Sequence, residues 1–347
     1  MTTDRSGFLP DRIVHLHPTR LCNLACLHCY SSSAPEKTAG LDPAAICDGL
    51  RVLRAEGYRV VSLSGGEPLA YKPLRTVVEG AHELGLRVTM ITNGLLATER
   101  RMPLLSSLDG IAISFDGLAP THNAMRGRPD AFERAGEALE RLAGYGLPVG
   151  AAISVTRDAI PDLPDLADHL VALGARSLQI RPVARAGRAR SLPEETFHDS
   201  VDQARLYLVV LALQDEVPEG VRVHCDLAPT QGLWTQRDAY VGLLGECGGI
   251  PHEDRPLADL VNPLVITDTG ALKPIAYDFD ERFDVASLDD LSEETLRSYK
   301  AHGLPELQTL VGRALAGLAD RRDVVDWFDH CTRLSEEQPL ASVPAAR

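Results

Sequence analysis

Three cysteines in one short segment, Cys22, Cys26 and Cys29 in PTRLCNLACLHCY, hold the densest chemistry in the chain. A C-x3-C-x2-C cadence can gather three thiolates around one metal centre. Structural zinc sites take four protein ligands, and the nearest further donor, His28, adjoins Cys29 and is poorly placed to share an ion with it. An iron-sulfur cubane held by three thiolates instead leaves one iron open to a substrate or cofactor. The spacing therefore favours an iron-sulfur cluster over zinc or unrelated thiols. Three other segments carry polar residues beside glycine: Ser64-Gly65-Gly66-Glu67-Pro68, Thr92-Asn93-Gly94 and Ser114-Phe115-Asp116-Gly117. Taken singly, each reads as an ordinary turn.

What must position these residues is a repeated strand-helix pattern. Apolar or β-branched runs recur at 13–17, 60–63, 88–91, 111–115, 149–155 and 178–183. Amphipathic stretches separate or follow them near 43–56, 73–84, 97–107, 130–144, 161–173 and 193–214. Ser191-Leu192-Pro193-Glu194 reads as a capping box opening the last of these. Near-continuous apolar strands alternating with helices predict an α/β fold with a parallel sheet covered on its faces. Because the four segments each follow a strand end, a closed sheet brings them to one rim, where barrels carry their chemistry. Six units fall short of eight, which predicts a partial (β/α)6 TIM-type barrel with an open side. Beyond about 217 the alternation stops. There 221–225 and 264–267 read as strands, Asp268-Thr269-Gly270 as a hairpin turn, and 291–300, 304–317 and 321–334 as helices. The expected organisation is a tail over 1–11, a barrel over 12–217 and a smaller α+β unit over 218–347.

Composition narrows the classes. The 347 residues can bury a large core, and 44% hydrophobic with 24% charged residues is ordinary for a globular enzyme. A formal charge of -14 argues against broad binding to nucleic acid or anionic membranes. Arg181, Arg185, Arg188 and Arg190 form a local exception that could take a small anion or be a solvated basic loop. No signal core or spanning run is present. Seven cysteines, three of them crowded, fit reduced thiols serving a metal better than a disulfide framework, and predict a cytoplasmic protein.

With the cysteines after the first strand and Ser64 to Pro68 after the second, residues 12–190 resemble the radical S-adenosylmethionine (SAM) superfamily. The resemblance implies a partial barrel binding one 4Fe-4S cluster through Cys22, Cys26 and Cys29, together with SAM. It implies reductive cleavage of SAM to a 5'-deoxyadenosyl radical and hydrogen abstraction from a substrate, the cofactor carrying the chemistry and the protein aiming it. It further implies that the backbone of Ser64, Gly65 and Gly66 and the Glu67 carboxylate hold the methionine amino group. Ser114, Asp116, Thr92 and Asn93 would contact the ribose and methionine carboxylate, His28 would lie beside adenine, and Ser154 would add a polar contact. Ile180 to Val183 would line the adenine pocket. Thr92 and Asn93 read equally well as turn formers, and 180–183 as a plain core strand. A flavodoxin or ferredoxin reductant is implied by the family.

His122 to Gly127 and Arg181 to Ala189 resemble members with a SPASM or twitch extension, which usually modify peptides or build peptide-derived natural products. Asn123 stands where that subgroup commonly has Asp. Only Cys225, Cys247 and Cys331 lie beyond the barrel, too few for two auxiliary clusters, and Ala276 stands where the family pattern places a cysteine. One auxiliary iron-sulfur cluster or none is expected. Cys225 shares a face with Val221 and Val223, and Cys331 continues the stripe of Val324, Phe328 and Leu334, so both read as core thiols as readily as ligands. Cys47 reads as core, whereas Cys247 in LGECGGIP has no apolar periodicity and reads as functional. A Cys247 or Cys331 thiol that holds no iron could donate a hydrogen atom to a substrate radical. Three readings follow: modification of a ribosomally made peptide, redox-neutral epimerisation or rearrangement of a sugar or small metabolite, and a non-catalytic iron-sulfur sensor. The Ser64 to Pro68 turn argues against the last. The dozen residues before the first strand leave no room for a leader-binding domain, so a peptide would need a separate carrier protein or recognition by the C-terminal unit.

Overall fold

The structure, a computed structural model, describes residues 12–237 and 252–337. Six strands, β1 (Ile13–Leu16), β2 (Val60–Leu63), β3 (Arg87–Thr92), β4 (Gly110–Phe115), β5 (Val149–Val155) and β6 (Ser177–Pro182), lie parallel and in chain order. Their register runs from Ile13 opposite Val60 to Val155 opposite Pro182. β1 and β6 do not pair, so the barrel stays unclosed. The crossovers carry α1 (Pro43–Ala55), α2 (Leu74–Glu83), α3 (Met102–Leu105), α4 (Ala119–Arg126), α5 (Ala131–Gly144) and α6 (Leu163–Ala172).

The strands alternate more than the expected apolar runs suggest, because the helices cover one face. On β4, Ile111, Ile113 and Phe115 are buried while Ala112 and Ser114 are partly open. The buried set joins Ile46, Leu50, Leu139 and Leu170 of the helices in one core. Successive side chains point to opposite faces, so the strand register puts His15, Ser62, Ser114, Ser154, Gln179 and Arg181 on the inner face.

The sheet runs through residue 217. After α7 (Ser200–Glu216), β7 (Arg222–Cys225) adds in parallel to β6, and β8 (Leu227–Pro229) leads into α8 (Thr230–Thr235). β9 (Leu264–Ile266) adds in parallel to β1. It is followed by antiparallel β10 (Ala271–Pro274) and β11 (Ala286–Ser287), giving ten strands in all. The expected hairpin turn lies between β9 and β10, where Gly270 takes φ +85°. Next come α9 (Glu293–His302), α10 (Leu304–Ala316), β12 (Val324–Asp326), which pairs with β8, and α11 (Trp327–Glu336).

Two element starts differ from expectation. Residues 194–196 form only a short 3-10 turn, and α7 begins at Ser200, where the Asp199 side chain accepts from the Val201 and Asp202 amides and the reciprocal Asp202 contact completes the capping box. Residues 324–326 are strand rather than helix, and α11 starts only after the Asp326 cap. No helix among the described residues is long and apolar enough to cross a membrane.

Candidate functional site

The loop leaving β1 folds back so that Cys22 and Cys26 are buried and Cys29 half-buried, all as free thiols. They pack with Leu24 and Leu95 in a small cluster apart from the main core. Each lies within electrostatic reach of the other two. Burial pushes the Cys22 thiol up to about 12, and it pushes Cys26 up against the pull of Arg126. Polar donors nevertheless face the sulfurs. The Ser33 amide donates to Cys29 Sγ at 3.3 Å, Asn93 Nδ2 lies 3.8 Å from Cys22 Sγ, and Arg126 Nη1 lies 4.0 Å from Cys26 Sγ. Donors around buried thiols suit sulfurs that become anionic on metal binding. Among the described residues no three His, Cys, Asp or Glu are grouped as ligands of a single ion. Three cysteines gathered in one small cluster and faced by polar donors fit a cubane held by three thiolates.

Three neighbouring loops hold this one in place. Behind β2, the Gly66 and Glu67 amides donate to the carbonyls of Thr19 and Leu21, both at 2.9 Å. A Cβ on Gly66 would lie 2.3 Å from the Leu21 oxygen, so glycine is required there by the cysteine loop itself. Gly65, at φ +94°, would put a Cβ 2.8 Å from His17 Cβ. Ser64 continues the strand pairing through its amide to the Leu16 carbonyl. From the far side, the Arg188 side chain donates to the carbonyls of Cys26 at 2.9 Å and Ser33 at 2.7 Å, while its amide donates to that of Cys29.

Several predicted site residues brace neighbouring loops. Glu67 is buried, accepting from the Leu69 amide and Thr92 Oγ1 on one oxygen and from the Asn93 amide on the other. The Thr92 hydroxyl also accepts from the Gly94 amide. These contacts tie Glu67 and Thr92 to the loop after β3. Asn93 links Asn23 Oδ1, at 2.9 Å, to the Leu95 amide. Asp116 is wholly buried and likewise fully engaged. It accepts from Arg126 Nε at 2.5 Å and Nη2 at 2.8 Å and pairs with His28 Nε2 at 3.0 Å, while its own amide donates to His122 Nδ1 at 3.2 Å. Burial opposes its ionisation, but the Arg126 guanidinium and then His28 overcome this and hold the carboxyl well below the usual range. Asp116 thus orients Arg126 toward Cys26 rather than presenting itself to a ribose. His28 keeps Nδ1 buried without a partner. Asn123 donates to the Pro129 carbonyl and accepts from the Phe132 amide, a double role that the Asp of the related pattern cannot fill.

Ser114 and Ser154 stand half-buried on the inner face, and neither hydroxyl has a protein partner among the described residues. Val183 is buried with Ala189 and Phe197 in a separate small cluster. At the mouth, His17 stacks on Tyr277 with ring centroids 4.8 Å apart and meets Tyr30 at 5.6 Å. Tyr277 donates to Asp268, which pairs with Arg20. Thus the loop after β10, with Ile275 at φ +68°, brings the Tyr277 ring, next to Ala276, against the cysteine loop. The remaining cysteines differ in kind. Cys225 ends β7 half-buried, with burial pushing its thiol up to about 12. Cys331 is wholly enclosed in the main core. Enclosure among apolar side chains corrects the expectation that Cys331 is a ligand or hydrogen donor. Cys247 lies outside the described residues. Sequence reasoning missed Arg126 and Arg188 as partners of the cysteine loop, since no local pattern marks an arginine that acts across the fold.

Against this geometry, residues 16–170 match the sequence model of the radical SAM superfamily. Residues 16–170 are a radical SAM domain. Among curated relatives, the sporulation killing factor maturation protein SkfB of Bacillus subtilis is 28% identical over 176 residues, covering 50% of this chain and 43% of SkfB. The Fe-coproporphyrin III synthase of Methanosarcina barkeri is 28% identical over 199 residues, covering 56% of this chain and 49% of that enzyme. The chain thus matches about half the length of each. The fold is shared with Streptococcus suis SuiB bound to S-adenosylmethionine, at a TM-score of 0.64 and 16% identity, over 88% of this chain and 71% of SuiB. At 88% of this chain, the likeness extends beyond residues 16–170.

Proposed function

We propose that this protein is a radical SAM enzyme that abstracts a hydrogen atom from a ribosomally made peptide and so modifies it. The observation that carries the reading is the half-buried Arg126 at the end of α4, aimed at Cys26 by the buried Asp116 and facing the cluster of three thiols. A cation held against a buried sulfur stabilises it as a thiolate, the form that ligates iron. Cys22, Cys26 and Cys29 would hold the 4Fe-4S cluster, with Ser114, Ser154, His28 and Val183 nearest the space left for SAM. Bound there, the cluster and SAM would supply the radical chemistry that hydrogen abstraction needs. The protein's own part is to fix the thiolates through Asn93, Arg126 and Arg188 and to offer a polar inner face to the substrate. The peptide assignment draws on SkfB, named as a maturation protein; the synthase relative supports a second reading, in which the substrate is a tetrapyrrole. Epimerisation with Cys331 as hydrogen donor loses support from that residue's enclosure. A reducing, cytoplasmic setting with a flavodoxin or ferredoxin donor completes the proposal. Anaerobically reconstituted protein, given SAM and a strong reductant, is expected to form 5'-deoxyadenosine, with Cys26→Ala at background. Equal formation by that variant rejects the reading.

A further inference from the structure

Of the four arginines crowded into residues 181–190, three are committed. Arg185 pairs with Glu194 and lies over the Phe197 ring. Arg188 holds the Cys26 and Ser33 carbonyls, and Arg190 pairs with Glu336 and Asp278. Arg181 differs in place and in partners. It stands on β6 in register with Ser154, between Ile180 and Pro182, which are buried on the opposite face. Alternation along β6 puts its side chain on the inner face of the sheet, beside that of Ser154 and opposite the buried Ile180 and Pro182.

Its hydrogen-bonding capacity is mostly open. Among the described residues the guanidinium has one partner, Asp226, through Nε at 3.4 Å, and the side chain is 39% exposed. The fork of an arginine can take a carboxylate on each of two edges, so the Nη pair is left for another acceptor. The local charge allows one. Asp326 also lies in the field of Arg181, but burial and then Asp226 push its carboxyl up to about 7, so it carries only part of a charge at neutral pH.

We propose that Arg181 is a carboxylate-binding point on the inner face, so that the substrate entering the barrel carries a carboxylate group. This rests on the radical SAM reading and deepens it by naming a substrate feature. The carboxylate can come from an acidic peptide side chain or from a tetrapyrrole propionate, and the test separates them.

The test is ligand-observed saturation-transfer NMR on the reconstituted full chain, with glutarate as probe and glutaramide as its neutral counterpart. Glutarate is expected to bind saturably and glutaramide not to bind. Arg181→Gln is expected to weaken glutarate at least about tenfold, the scale of one charge-assisted contact. Arg181→Lys, which keeps the charge without the fork, is expected to recover part of the binding. An Arg181-dependent signal from a C-terminally amidated Gly-Gly-Glu-Gly-Gly peptide assigns the carboxylate to a peptide; one from coproporphyrin III assigns it to a tetrapyrrole. Absence of saturable glutarate binding, equal binding of glutaramide, or unchanged binding by Arg181→Gln overturns the proposal. Iron content and 5'-deoxyadenosine formation, read in the same wild-type preparation, keep the two ideas apart. Protein that cleaves SAM yet ignores glutarate sinks the inference alone, and protein that does neither sinks the reading beneath it.

Discussion

Two buried aspartates sit in opposite electrostatic settings. Asp116, behind β4, is enclosed by Arg126, His28 and His122 and is held ionised. Asp326, at the end of β12, is enclosed mainly with Asp226 and Asp329 nearby, and its carboxyl is pushed up to about 7 by burial and then by Asp226. The cysteines follow the same division. Cys26 faces the cation that Asp116 orients, whereas Cys225 and Cys331 lie near the Asp326 carboxyl, which opposes thiolate formation further. Burial is common to both regions, so the difference in chemistry comes from the partners enclosed with each group.

The comparison is sharpest at Cys26. Cys26→Ala is expected to bring SAM cleavage to background and strip the protein of its cluster, while the same change at Cys331 leaves both intact; iron assay and product chromatography read this. Next in size, Arg126→Met leaves Asp116 buried without its main counter-charge and should destabilise the iron-free chain by about 3–5 kcal/mol in urea unfolding. A normal urea midpoint for that variant would mean that the network is not closed as described.

The two aspartates also predict opposite pH behaviour. An aspartate with a folded pKa of about 7 and an unfolded one of about 3.9 binds more protons when folded, so its contribution falls as pH rises from about 4 to about 7. Asp326→Asn should abolish that fall, shifting wild type against variant by about 3–4 kcal/mol across the window. Asp116, with its folded pKa depressed, contributes fully above about 4 and loses its contribution as pH drops below that. Parallel stability curves for wild type and Asp326→Asn between pH 4 and 8 would remove the contrast.

Smaller effects refine the picture. Arg188→Ala removes two charged hydrogen bonds to carbonyls of the cysteine loop, with an expected loss of about 2 kcal/mol and faster iron release in air. Cys331→Ala should lose about 1 kcal/mol by leaving a small cavity, with no change in iron content. A larger effect of Cys331→Ala on iron than on stability would move that residue out of the core category.

What was legible in the chain was local. The cysteine cadence, the glycine turn and six strand-helix units each announce themselves within a few residues, and all six strands of the barrel lie where periodicity placed them, within a residue or two. The braces were not legible, because they join distant positions. Arg126 reaches Cys26 across 100 residues and Arg188 reaches it across 162. Glu67 and Asp116 carry the right residue type for a cofactor contact, yet their oxygens are taken by Asn93, Thr92, Arg126 and His28, which only the fold brings near. The start of α7 was misplaced because Ser191 to Glu194 imitates a capping box, while Asp199 and Asp202 form the one that closes. The Arg181 to Arg190 run resembled one basic patch, and the fold splits it into three committed side chains and one open to the barrel.

The account depends on three thiolates sharing one cluster at the mouth of the barrel. Iron quantification with EPR of dithionite-reduced, anaerobically reconstituted protein tests this directly, comparing wild type with the combined Cys22→Ala, Cys26→Ala and Cys29→Ala variant. The account predicts at least about four irons per chain and a reduced-cluster signal in wild type, with that barrel cluster absent from the triple variant. Full iron retention by the triple variant, or stoichiometric zinc in place of iron in wild type, would contradict it.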